Sequence, residues 1–227
     1  MVKIINKTIE SADGHTIPYK QYEPKKKSSN AIVLVYEIFG LTSHINDVAS
    51  EYAENGFLVN VPDIFSRLEK NIVLPYDKLG LKKGLSLKNQ LEWDLPVMDI
   101  VALAASLKRN YNVSVLGYCY GASISWLAMQ KAFIFDKGIC YYGSSIPDFL
   151  NKQLNCSAVI HLGKKDEGIP VQSVEKIKNY ISKEKNEINL YEYDNADHGF
   201  NCKDRKSYNK DAAEIAFERS INFLKGV

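Results

Sequence analysis

Eight short runs of apolar and β-branched residues punctuate the chain, and most are separated by stretches in which apolar positions recur every three or four residues. The first kind of run reads as strand, the second as amphipathic helix. Residues 2–10 and 16–22 flank Asp13-Gly14 and predict a hairpin. Ala31–Tyr36 is almost continuously apolar, as a parallel strand buried on both faces must be. A helical pattern runs from Ser43 to Glu54 and closes at Asn55-Gly56; Phe57–Val61 then predicts a strand stopped by Pro62-Asp63. Residues 64–92 lack a clear period and carry Pro75, Gly80 and Gly84, which predicts a long lid or substrate-facing connection. Asp94–Lys108 predicts a helix, Val113–Leu116 a strand, and Ala122–Lys131 a helix. Lys137–Tyr142, Ser157–Leu162 and Ile188–Tyr193 predict the remaining strands, with helices at Val171–Ser182 and Ser207–Leu224. Strands alternating with helices imply a mostly parallel, doubly wound α/β sheet with an N-terminal hairpin, in one domain.

Composition narrows the function classes. Apolar residues make up 45% of 227, enough for a full core. The formal charge is only +2, so neither nucleic acid nor an acidic partner is expected, and the Lys25-Lys26-Lys27 run reads as a solvated loop. The first residues do not resemble a signal peptide, and no apolar stretch approaches the roughly 20 residues of a membrane span. Cys119, Cys140, Cys156 and Cys202 show neither a CxxC pair nor metal-ligand spacing. The expectation is therefore a cytoplasmic protein with reduced thiols, no metal or cofactor, and no membrane partner, acting as a monomer or weak homodimer.

The chemistry gathers where strands end. Val113–Leu116 runs into Gly117-Tyr118-Cys119-Tyr120-Gly121 and then a helix, the strand–turn–helix of a nucleophile elbow with Cys in the Ser position. In a doubly wound sheet, ligands bind beyond the carboxyl ends of the strands. Asp166 follows Ser157–Leu162 at that edge, and His198 follows Ile188–Tyr193. The order nucleophile, acid, histidine is that of the α/β-hydrolases. A thiol is mostly protonated at neutral pH, so Cys119 needs His198 as a base and Asp166 to fix the ring. Glu167 and Asp197 are rival acids, and Asp197, adjoining His198, is expected to point away. The N–H groups of Ile38 and Tyr120 are placed to hold an oxyanion. Glu37 is unexpected in an oxyanion loop and is a candidate for setting the charge state of Cys119. His15 reads as a turn residue, and His44 and His161 as packing or surface residues.

These residues resemble the dienelactone hydrolases (carboxymethylenebutenolidases) of the α/β-hydrolase fold. The resemblance rests on Asp13-Gly14, Glu37-Ile38-Phe39-Gly40, Pro62-Asp63, Gly117-Tyr118-Cys119-Tyr120-Gly121, Tyr141-Tyr142-Gly143, Asp166 with Ile169-Pro170, and His198-Gly199-Phe200. It implies a Cys119–Asp166–His198 triad, contact between Glu37 and the thiol, and hydrolysis of a small lactone or activated ester through an acyl-thioester. Cys202 stands where the family's dienelactone enzymes carry a substrate-clamping Arg, which makes Arg67 and Arg205 the candidate replacements. Phe39, Tyr118, Tyr142 and Phe200 are expected to line an apolar pocket, while Trp126 is expected in the core. Rival readings are a general carboxylesterase or thioesterase, a non-catalytic ligand binder, and a thiol sensor.

Overall fold

The computed structural model describes residues 2–227. Eight strands form one sheet in the order β1-β2-β4-β3-β5-β6-β7-β8. They are β1 (Lys3–Glu10), β2 (Thr16–Glu23), β3 (Asn30–Val35), β4 (Leu58–Pro62), β5 (Asn112–Tyr118), β6 (Lys137–Tyr141), β7 (Ser157–Gly163) and β8 (Ile188–Tyr193). Pairing is antiparallel between β1 and β2 and between β2 and β4, and parallel from β4 onward. Burial follows the apolar pattern. All of β4 and Ala31–Val35 of β3 are buried, whereas β1, at the sheet edge, is exposed apart from the half-buried Ile5 and Ile9.

The helices are α1 (Ser43–Glu54), α2 (Lys78–Gln90), α3 (Asp94–Lys108), α4 (Tyr120–Lys131), α5 (Val171–Ile181) and α6 (Lys210–Lys225). The chain moves outward from β3 to β4, then returns past β3 to β5 and continues the other way. Right-handed crossovers in opposite directions put their helices on opposite faces of the sheet. Accordingly α1 meets α6 through Tyr52 and Phe217, ring centroids 5.0 Å apart, and α4 meets α5 through Trp126 and Tyr180 at 5.4 Å. Trp126 is fully buried core. The switch of direction lies between β3 and β5, so Glu37-Ile38-Phe39 and Cys119 emerge side by side at their carboxyl ends.

Residues 64–92 depart from the sequence expectation, because half of the segment is α2. Gly80 and Gly84 obscured the helix, since glycine weakens helices. The reason for both glycines is contact. A Cβ on Gly84 would lie 2.6 Å from the Ile38 carbonyl oxygen, and one on Gly80 would clash with the Pro75 carbonyl. The Asp77 side chain caps the helix by accepting from the Gly80 N–H at 2.8 Å.

His161, on β7, is fully buried. Its ring nitrogens lie 2.9 Å from the Tyr193 hydroxyl and 3.0 Å from Ser220 Oγ. Burial, reinforced by the Arg219 charge, pushes the imidazole from 6.5 down to about 3. Above pH 6.5 the ring is neutral in both folded and unfolded chains; below it only the unfolded chain takes up the proton. Stability is therefore expected to fall from pH 6.5 toward pH 3, with His161 contributing up to about 1.4 kcal/mol per pH unit. Urea unfolding across that range should show a shallower acid slope for His161→Gln. Equal slopes would exclude this residue as the cause.

Candidate active site

Cys119 caps the N-terminus of α4 with φ 54° and ψ −115°, a left-handed backbone that few L-residues adopt without strain. Its N–H donates to the Tyr141 carbonyl at 2.9 Å, which anchors the turn to β6. The flanking glycines are steric necessities. A Cβ on Gly117 would collide with the Gly121 carbonyl, and one on Gly121 with the carbonyls of Val35 and Tyr36. The tight bend lifts the sulfur out of the core to an intermediate exposure, at the positive end of the α4 dipole.

Two later loops reach this sulfur. His198 Nε2 lies 3.1 Å from Cys119 Sγ, and its Nδ1 lies 2.7 Å from Asp166 Oδ2. Asp166 is buried, and its other oxygen accepts from the Gly168 N–H at 2.9 Å, so the carboxylate is held from both sides. Asp197 accepts from the His198 backbone N–H at 2.6 Å and thus braces the loop rather than the ring. Burial works against a charged His198, but the thiolate charge and the Asp166 hydrogen bond outweigh it, raising the imidazole to about 10.

The triad opens on a cavity of about 340 Å³. Its lining includes Ile38, Phe39, Tyr120 and Arg205 beside Cys119 and His198. Neither the Ile38 nor the Tyr120 N–H has an acceptor among the described residues. Both N–H groups thus remain free, on residues that line the cavity beside Cys119.

Five expectations about individual side chains are corrected. Glu37 makes no hydrogen bond to Cys119. It is fully buried, accepts from the Tyr76 hydroxyl at 3.1 Å and lies 3.6 Å from Arg205 Nη1. A nearby cation and a phenol donor outcompete a thiol for a carboxylate. Burial, then the Glu37 charge, raises the Tyr76 pKa and keeps its proton in place for donation. Tyr118, Tyr142 and Phe200 do not line the cavity either; all three are buried beneath it. Tyr118 stacks on Tyr141 at 4.6 Å, and Tyr142 packs between the His198 ring at 5.1 Å and Phe200 at 5.4 Å. Tyr142 supports the imidazole directly, and Tyr118 and Phe200 pack against Tyr142. Tyr142 also holds a φ of 40°, so the residue under the imidazole is itself conformationally constrained.

Arg67 is the fifth correction, because it lies outside the cavity. Its Nε and Nη2 bind Asp99 at 2.9 and 2.6 Å, and Nη1 binds Asp13 at 2.6 Å. The Arg67 guanidinium draws the Asp13 carboxyl down to about 2. Two carboxylates leave this arginine no capacity for a substrate anion. Arg205 does face the cavity and keeps one buried guanidinium nitrogen without a hydrogen bond.

The sequence reading missed Tyr76, Leu81, Leu85 and Lys88. No motif marks Tyr76. The other three share one helical face at spacings of four and three, a signal hidden by Gly84 between them and Gly80 just before. Among the described residues, no cluster of His, Cys, Asp and Glu has the arrangement to hold a metal ion.

Comparisons with known proteins agree with this geometry. A family model described as "Dienelactone hydrolase family" matches residues 19–227. A carboxymethylenebutenolidase of Pseudomonas putida is 26% identical over 224 residues, covering 96% of this chain and 94% of its own. A solved structure from Klebsiella pneumoniae, provisionally assigned as a dienelactone hydrolase, superposes with a TM-score of 0.86 at 22% identity over the full length of both chains. The dienelactone hydrolase of Anabaena variabilis superposes at 0.72 with 11% identity over 99% of this chain and 98% of its own. At these identities the structural likeness establishes the α/β-hydrolase fold.

Proposed function

The chain belongs to the dienelactone hydrolase family, and from that premise we propose that it hydrolyses small lactones or activated esters with Cys119 as nucleophile. The observation that carries the reading is the continuous relay from Asp166 Oδ2 through both His198 nitrogens to Cys119 Sγ, in steps of 2.7 and 3.1 Å. The thiolate attacks the carbonyl carbon, and its electron pair forms the C–S bond while the carbonyl oxygen becomes an oxyanion held by the Ile38 and Tyr120 N–H groups. The intermediate collapses, and the His198 imidazolium passes its proton to the departing alkoxide. Water then attacks the acyl-thioester as His198 takes its proton; the tetrahedral intermediate expels the Cys119 thiolate beside the new imidazolium, and the released carboxylic acid loses its proton to solvent. Thiolates leave readily, so activated acyl groups suit this site better than amides. No cofactor enters any step.

Asp166 keeps the His198 tautomer and stabilises the imidazolium. Asp166→Asn is expected to lower kcat on p-nitrophenyl acetate by about two to four orders of magnitude with the fold intact by circular dichroism. A fall of less than tenfold would remove Asp166 from the relay. Four free cysteines support a reducing, cytoplasmic setting, and the proposed partner is the small lactone or ester substrate, with the chain working as a monomer or weak homodimer. No helix among the described residues is long and apolar enough to cross a membrane.

A further inference from the structure

The walls of the cavity differ in character. Glu167 and Asp197, with Asp166 and His198, come from the loops after β7 and β8. Leu81, Leu85 and Lys88 come from α2. Leu81 and Leu85 remain 44% and 42% exposed although both face a cavity that borders the nucleophile. Lys88 lies 5.5 Å from the Trp93 ring centroid and 5.8 Å from that of Tyr120, and no carboxylate pairs with it among the described residues. The rings hold its ammonium at the end of the face, so its methylene stem extends the apolar surface.

α2 is seated on the oxyanion side of the site. Gly84 abuts the Ile38 carbonyl, and Lys88 reaches the Tyr120 ring. These two residues carry the unpaired N–H groups. The geometry of acyl transfer then assigns the walls. A leaving group must sit within reach of His198 Nε2 to be protonated, which places it on the side of the β7 and β8 loops. The remaining substituent of the carbonyl carbon, the acyl chain, is directed away from His198, along α2.

Resting on the hydrolase reading above, we propose that the Leu81–Leu85–Lys88 face of α2 is the acyl-binding wall and selects uncharged aliphatic acyl groups. Leu81 and Leu85 are one helical turn apart, a rise of about 6 Å, which a chain of about five methylenes spans. The cavity volume of about 340 Å³ accommodates a chain of that size. The acidic wall, by contrast, favours a neutral or cationic leaving group and disfavours an anionic one.

The test separates binding from turnover. Alkyl trifluoromethyl ketones, which add reversibly to a thiolate, are titrated calorimetrically in a series from methyl to hexyl. Affinity is expected to rise by about tenfold or more along the series for the native chain, at up to about fourfold per buried methylene. The series should flatten in Leu81→Ala/Leu85→Ala, both sites being partly exposed and tolerant of truncation. Equal steepness in that double variant, or a flat series in the native chain, overturns the assignment. Hydrolysis of p-nitrophenyl acetate is read alongside. Its absence, with a steep ketone series that the double variant flattens, refutes the hydrolytic reading and leaves α2 as the binding wall.

Discussion

Cys119→Ala is expected to lower kcat/KM on p-nitrophenyl acetate by about four orders of magnitude or more, because the groups of a triad act as a unit and removing the nucleophile removes the covalent route entirely. Alanine keeps the elbow, so thermal stability should move far less than activity. The native enzyme quenched in acid should carry one acyl group on Cys119 by mass spectrometry. The variant should carry none. A second signature comes from the imidazole. Burial alone would depress His198, and the Cys119 charge is the main influence raising it to about 10. Without the thiolate, the His198 ring resonances should titrate several units lower, toward the ordinary 6.5. In the native protein the imidazolium persists from neutral pH up to about 10, and its pairing energy is lost as pH rises through that value. Iodoacetamide labelling of Cys119 across pH measures directly how much of the sulfur is ionised. Turnover that survives Cys119→Ala, or an imidazole that titrates unchanged, would eliminate the ion-paired nucleophile.

Arg67→Ala is expected to cost about 3–5 kcal/mol, because it strands a fully buried Asp99 without its partner. For a chain of this size the melting temperature should fall by about 10 °C or more. The arginine is itself nearly buried, and its bidentate grip on Asp99 ties residues after β4 to α3, while Asp13 extends the network to the first hairpin. Lysine reproduces the charge but not the fork, so Arg67→Lys should recover only part of the loss. The folded Arg67→Ala protein should retain the native kcat/KM, since the residue lies outside the catalytic cavity. A stable variant with a raised KM would reinstate Arg67 as a substrate clamp.

The two outcomes mark the boundary between what a linear reading reaches and what it does not. Cys119, Asp166 and His198 were legible because each lies at or in the loop after a strand, and the parallel strands of a doubly wound sheet deliver their carboxyl ends to one edge. Connectivity alone brings them together. Glu37 also follows a strand closely, so the same argument placed it at the site, whereas Arg67 entered only as a replacement for the arginine whose position Cys202 takes. Which carboxylate meets which cation depends on distances between loops, and the chain order carries no information about those distances.

α2 failed to register for a related reason. Its glycines contradict helix propensity locally and make sense only against Pro75 and the Ile38 carbonyl, contacts made across space. Likewise Tyr118, Tyr142 and Phe200 have the composition of a pocket lining, but the sheet twist and the β6 turn bury them under the imidazole. By itself the sequence determined the alternation of elements, the elbow, and the order of the reacting groups, because these follow from local periodicity and from the rule that links strand direction to crossover. Tertiary structure alone decided the partners of the buried charges and the character of the cavity walls, because electrostatic pairing and exposure are set by the approach of segments that are remote in the chain.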